Sequence, residues 1–193
     1  MPIPKTWVEE LVVEWLHIDG FLVESNLPVG TTEVGGRNEA DVVGAKMDNN
    51  TLVIRHVEVG QFSGGVKGVE SVLSKKFSQS IQNSIKDYFK QRLSFTSDNI
   101  KYDKFYVLTY WTGPTIEAEA LKRYGVIPLP LPDFIQDNVI PSIQRWKENP
   151  PHGSRLRGEI IGLPETYWLL QLIDYMYNRR MLNIEKLISK QNR

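Results

Sequence analysis

The chain has 193 residues, within the ~100–200 of a typical single domain, and its 23 basic and 23 acidic side chains cancel. At 41% hydrophobic and 24% charged residues it has an ordinary globular composition, which excludes intrinsic disorder and argues against coating nucleic acid through bulk charge. It has no cysteine, which removes disulfides, thiolate nucleophiles, zinc knuckles and iron–sulfur clusters, and no run approaches the ~20 apolar residues of a membrane span.

Thr6-Trp7-Val8-Glu9 has the capping-box pattern, and Trp7, Val8, Leu11, Val12, Trp15 and Leu16 recur at helical spacing, so a first helix is expected to run to Gly20. This amphipathic start differs from an apolar signal core, and a cytoplasmic location is expected. Phe21-Leu22-Val23 opens a strand toward Pro28, and Gly30–Gly36 reads as a loop. Glu39–Lys46 and Thr51–Val59 read as two strands joined at Asp48-Asn49-Asn50, because asparagine tolerates the positive φ of a tight hairpin turn.

Gln61–Val69, with Gly64, Gly65 and Gly68, reads as a flexible loop, either a lid or a connector. A long helix from about Glu70 to Leu93 follows, with Leu73, Phe77, Ile81, Ile85 and Tyr88 as its apolar stripe. Lys75, Gln79, Gln82, Lys86 and Lys90 cluster on another face. Phe105–Tyr110 reads as a strand, Ile116–Tyr124 as a helix stopped by Gly125, and Val126–Leu131 as a strand whose Pro128 and Pro130 suit only an edge. Asp133–Trp146 reads as a helix, Asn149–Ser154 as a linker, and Pro164–Leu182 as a final helix. Arg179 and Arg180 at its end either answer the helix dipole or, with Arg155 and Arg157, add contacts to a nucleic-acid backbone. The expected architecture is α/β with a central mixed sheet over residues 1–149 and a C-terminal helical extension over 150–193.

Charge is graded along this order: residues 1–60 hold 4 basic and 10 acidic side chains, residues 61–150 hold 12 and 9, and residues 151–193 hold 7 and 4. An acidic first third beside basic later parts suits a cation held next to a polyanion, although scattered solvated charge gives the same sums. The acids of the hairpin sharpen this. With Asn49-Asn50 as a two-residue turn, cross-strand partners have numbers summing to 99, which sets Asp41 opposite Glu58 with Cβ atoms ~5 Å apart. Opposed like charges call for something positive between them. Mg²⁺ is the simple candidate, and Glu39, two residues before Asp41, shares the face as a further ligand. A one-residue slip in register would instead separate the pair. His17, His56 and His152 have no metal-ligand spacing; His56 lies on the Glu58 face next to Val43 and reads as a packed polar residue. Glu10 and Glu14 on the first helix read as solvent-facing.

Gly36-Arg37-Asn38-Glu39-Ala40-Asp41-Val42-Val43, a turn, and Val53-Ile54-Arg55-His56-Val57-Glu58-Val59 resemble the core of the PD-(D/E)XK nuclease superfamily. The later Lys104–Tyr110, a helix, and Tyr124-Gly125-Val126-Ile127-Pro128-Leu129 resemble the corresponding segment of Mrr-type restriction enzymes, so that the resemblance spans roughly residues 6–146. It implies a restriction-endonuclease-like, three-layer αβα core and metal-dependent hydrolysis of DNA. Asp41, Glu58, the Val59 carbonyl and Glu39 would hold Mg²⁺ or Mn²⁺, and Lys67, Lys75, Gln79, Gln82 and Lys86 would meet DNA. DNA is the expected partner, with a homodimer left open and no membrane.

One departure matters. The family's lysine stands two residues after the glutamate, where this chain has Gly60. Three routes remain: a bulge at Gly60 that turns Gln61 onto the active face, which ranks first; a lysine supplied by Lys75, Lys76 or Lys67; or an inactive site. An inactive nuclease fold that binds nucleic acid or a protein, and an α/β domain that binds small molecules or acts as a scaffold, are the rival readings.

Overall fold

The computed structural model describes residues 4–29, 39–62, 65–109, 116–149 and 162–182, which form two compact units, Met1–Leu131 and Pro132–Arg193. The expected loop Gly30–Gly36, most of the expected linker, Arg155 and Arg157 lie outside the described residues.

In the first unit, α1 (Trp7–Ile18) starts where the Thr6 side chain accepts from the Glu9 N–H at 3.2 Å. The capping box is shifted by one residue, since the Glu9 carboxylate accepts from the Lys5 N–H at 2.7 Å. Gly20 ends the turn at φ +82°, a conformation open to glycine. Three antiparallel strands follow, β1 (Leu22–Pro28), β2 (Glu39–Asp48) and β3 (Thr51–Gly60), and two strands parallel to β3 complete a mixed sheet in the order β1-β2-β3-β4-β5: β4 (Ile100–Leu108) and the edge strand β5 (Ile127–Pro130). Asn49 and Asn50 take φ of +44° and +64°, and the ladder from Asp48–Thr51 to Val42–Val57 keeps every pair on the sum of 99.

Helices cover both faces of the sheet. The α1 face carries Gly44, where an added Cβ would lie 3.1 Å from side-chain atoms of Leu16 and Phe21, so the helix approaches closely because that position has no side chain. On the other face Val43, Ala45, Leu52 and Ile54 bury Ile81, Ile85 and Phe89. Beside them Val69, Phe77, Tyr106, Leu108, Leu121 and Val126 form a second cluster that joins α2 (Gly65–Lys76), α4 (Ile116–Arg123) and β4.

The expected long helix is two helices, α2 and α3 (Gln79–Arg92). Its apolar period runs unbroken through the junction, but the Ser78 hydroxyl accepts from the Ile81 N–H and the Gln82 amide donates to the Phe77 carbonyl at 2.9 Å, replacing the helical ladder with a cap. The helix also begins earlier than expected: Gly65–Val69, read as loop, is its first turn, stabilised because Val69 is fully buried. Strand β4 starts at Ile100 rather than Phe105, since β3 offers it partners from Leu52 onward. Glu14, read as solvent-facing, is buried.

The second unit is helical where described. A run over Leu131–Glu148 consists of α5 (Leu131–Phe134), a wider π-type turn (Ile135–Val139) and α6 (Ile140–Glu148), the turn opening just before Pro141, which has no N–H to continue a regular ladder. Helix α7 (Trp168–Asn178) is shorter than the expected Pro164–Leu182, and Lys147 pairs with Asp174 at 2.5 Å between α6 and α7. Among the described residues no helix is long and apolar enough to cross a membrane.

Candidate functional site

The site lies at the open end of the β2–β3 hairpin. One step past Val42–Val57 the side chains of the next pair take over the bonds between strands: Asp41 accepts from the Val59 N–H at 3.0 Å, and the Asp41 N–H donates to Glu58 Oε1 at 3.4 Å. Two carboxylates therefore face each other, as the turn arithmetic requires, with Glu58 1% and Asp41 18% exposed at the side chain.

What stands between them is Lys76, the last residue of α2. Its ammonium donates to the Glu39 carbonyl at 2.7 Å and to Asp41 Oδ1 at 3.0 Å, and pairs with Glu58 Oε2 at 2.8 Å. Among the described residues one cation meets two acids, Glu58 buried and Asp41 partly buried, which leaves an excess of negative charge. Burial, followed by the charge of Glu58, pushes the Asp41 carboxyl up to about 6; burial also raises Glu58, against the pull of Lys76. Burial works to lower the Lys76 ammonium, but Glu58 and Asp41 outweigh it and its pKa rises.

Behind Glu58 a buried chain continues. His56 Nε2 lies 2.7 Å from Glu58 Oε1, and its Nδ1 lies 3.0 Å from the Tyr102 hydroxyl on β4. Burial, followed by the charge of Lys76, lowers the imidazole to about 3, so it is neutral. The Phe77 ring tilts against it at 4.7 Å between centroids.

The expected residues separate on this geometry. Asp41 and Glu58 come together. Glu39 joins through its carbonyl, while its carboxylate pairs with Lys5 at 2.5 Å; Val59 contributes its N–H, so the backbone carbonyl at the cation position belongs to Glu39 and not to Val59. Lys75, the lysine expected at the site, is exposed, and its neighbour Lys76 meets the acids. The bulge expected to bring in Gln61 is absent: β3 pairs with β4 at a constant offset through Val59–Val107 and Gly60–Leu108, and Gln61 follows the strand as an exposed residue. Lys67 and Gln79 are exposed, with Gln79 bonded to Asn83; Gln82 is spent on the Phe77 carbonyl, and the Lys86 ammonium sits 5.5 Å from the centre of the Tyr102 ring.

Sequence reasoning passed over Tyr102, which lay outside the expected strand, and it ranked Lys76 behind Gln61. A signal for Lys76 was present: Val69, Val72, Leu73 and Lys76 fall at i, i+3, i+4 and i+7, so the lysine occupies the apolar stripe of α2.

No group of three or more Asp, Glu or His side chains among the described residues is arranged to hold a metal ion. Two carboxylates and a carbonyl nevertheless converge on a single cationic nitrogen, and this all-oxygen set matches a hard divalent ion that keeps several waters. Comparison with known proteins finds no matching family model, no matching curated protein and no matching solved structure. Fold and site thus define an α/β protein with a five-stranded mixed sheet and a charge-unbalanced acid pair at the end of its central hairpin.

Proposed function

We propose that the chain is a metal-dependent endonuclease that hydrolyses DNA phosphodiester bonds on a restriction-endonuclease-like, three-layer fold. The observation that carries this reading is the convergence of Asp41, Glu58 and the Glu39 carbonyl on one cation. The order of elements supports it too: a helix, an antiparallel three-stranded meander, and parallel strands returned by helices.

Asp41, Glu58 and the Glu39 carbonyl would hold Mg²⁺ or Mn²⁺, which supplies Lewis-acid polarisation of the phosphate and a lowered pKa for bound water. Lys76 replaces the lysine that Gly60 lacks. Its ammonium arrives from α2 instead of β3 and, displaced from the acids by the metal, would orient the attacking water and offset charge building on the phosphate oxygens. Lys67 and Lys75, exposed on the same helix, would meet the DNA backbone.

One observation favours a second reading. Lys76 already fills the cation position, as a permanent counter-ion would in a non-catalytic protein that binds DNA or another protein. Incubation with linear, branched and single-stranded DNA under Mg²⁺ or Mn²⁺ separates the two. The nuclease cleaves and Lys76→Met does not; tight, salt-sensitive binding without cleavage by the wild type establishes the binding protein.

A further inference from the structure

Glu58 offers one of its two oxygens to the cation position, and the reason lies behind it. Oε2 faces Lys76 at 2.8 Å, while Oε1 is held at 2.7 Å by His56 Nε2. With Nε2 carrying the imidazole proton, the ring donates to Glu58 Oε1 and its Nδ1 accepts from the Tyr102 hydroxyl at 3.0 Å. The imidazole is fully buried with both nitrogens bonded. The same ring packs against Phe77, the residue after Lys76 and the last before the Ser78 cap.

We infer that His56 is the positioning residue of the site: it fixes Glu58 so that only Oε2 is presented to a cation, and through Phe77 it sets where Lys76 arrives, with Tyr102 bonded to its other ring nitrogen. A core position of this volume needs no polar atoms if filling space is its task, since an apolar side chain avoids desolvating two ring nitrogens. Two hydrogen bonds in sequence, a part-buried one from Tyr102 to His56 and a buried one from His56 to Glu58, answer a different need, which is a carboxylate held in one rotamer. Without the Nε2 donor, Oε1 would be held only by the longer 3.4 Å bond from the Asp41 N–H, and Glu58 would turn more readily toward the cation or away from Asp41. The inference rests on the reading of Asp41 and Glu58 as ligands of a divalent ion.

The test compares His56→Leu, which keeps the volume but removes both nitrogens, with His56→Gln, which carries an amide N–H at about the reach of Nε2. Calorimetric titration of each folded variant with Mn²⁺ is expected to show roughly 10- to 100-fold weaker binding for Leu, the usual loss when the partner behind a ligand is removed, and about fivefold or less for Gln. Equal losses in the two variants overturn the positioning role. Wild-type protein that takes up no Mn²⁺ overturns the metal reading instead, and the inference is then decided without metal: Lys76→Met should shift the denaturant midpoint alike in wild type and His56→Gln, and clearly less in His56→Leu. The same shift in all three backgrounds overturns it. If His56→Leu fails to fold, long-range proton–nitrogen spectra of the wild type decide, since an Nδ1–H tautomer is incompatible with donation to Glu58.

Discussion

Each face of the β2–β3 hairpin holds a cation against acid, and the two arrangements differ in their charge count. On the α1 face Arg55 meets Asp19 at 3.2 Å, with its guanidinium 5.0 Å from the Trp15 ring centre and 4.6 Å from that of Phe21. Lys46 closes the group by donating to the Asp19 carbonyl. There one carboxylate meets one guanidinium, and aromatic faces take up the rest of the positive charge. On the α2–α3 face two carboxylates share Lys76, and both are pushed up in pKa. A matched pair between aromatic rings holds α1 to the sheet. An unmatched pair with a neutral imidazole behind it costs stability, and a fold that keeps it gains something other than stability.

The largest effect is expected from removing the shared cation. Lys76→Met should lower Mg²⁺-dependent DNA cleavage by about 10²–10⁴-fold, the usual weight of a group that moves or orients a proton. In metal-free buffer it should also destabilise the fold by roughly 2–3 kcal/mol, less than the ~3–5 of a fully buried broken pair because the lysine is partly exposed. Cleavage assays beside urea titrations check both. Unchanged cleavage would remove the lysine from the chemistry.

Arg55→Met breaks the matched pair and sharpens the contrast. Stability should fall by about 1–3 kcal/mol while cleavage per folded molecule stays within about twofold, because Arg55 lies on the opposite face of the hairpin from the proposed site. A large loss of specific activity would mean that the two faces are not separate in function.

The third expectation concerns pH. Asp41 has a folded pKa of about 6, above its unfolded value near 3.9, so the folded state binds the extra proton between these limits and stability falls as pH rises through that window. Asp41→Asn should therefore stabilise the metal-free protein by roughly 1–3 kcal/mol above pH 7, with the gain vanishing below about pH 4. Thermal melts across pH 4–8 measure it. A gain that persists at pH 4, or none at pH 8, would show that the carboxylate is not held against its charge.

The smallest effects belong to the last residue of β3 and the one after it. Gln61→Ala should change cleavage by about threefold or less, since Gln61 is an exposed residue beyond the strand. Gly60→Lys should cost about 1 kcal/mol or more in urea titrations and restore nothing, because Gly60 sits at φ +157° and an added Cβ would lie 3.1 Å from the Tyr106 hydroxyl. Cleavage raised by that lysine would return the role to β3.

The hairpin was legible because its turn chemistry sets its register: two asparagines fix a two-residue loop, and the pairing of Asp41 with Glu58 follows by counting. The edge character of β5 was legible from its prolines for a similarly local reason. The identity of the cation was not. Read as one helix with its stripe taken through Leu73, Phe77 and Ile81, the segment sets Lys75 on the polar face with Gln79 and Gln82, and the stripe through Val69, Val72 and Leu73 that carries Lys76 is passed over. The Ser78 cap that ends α2 competes with a periodicity running straight through it, from Phe77 to Ile81 and Ile85. Tyr102 stayed hidden because the start of β4 is set by pairing with β3, an interaction between distant segments that no local pattern records.

The account stands on Asp41 and Glu58 forming one centre for a divalent ion, and a calorimetric Mn²⁺ titration near pH 7.5 tests that most directly. The expected result is one ion bound per wild-type chain, and binding lost in both Asp41→Asn and Glu58→Gln while each variant remains folded. Binding that survives in either variant, or a wild-type chain that takes up no ion while Lys76 stays paired, would contradict it.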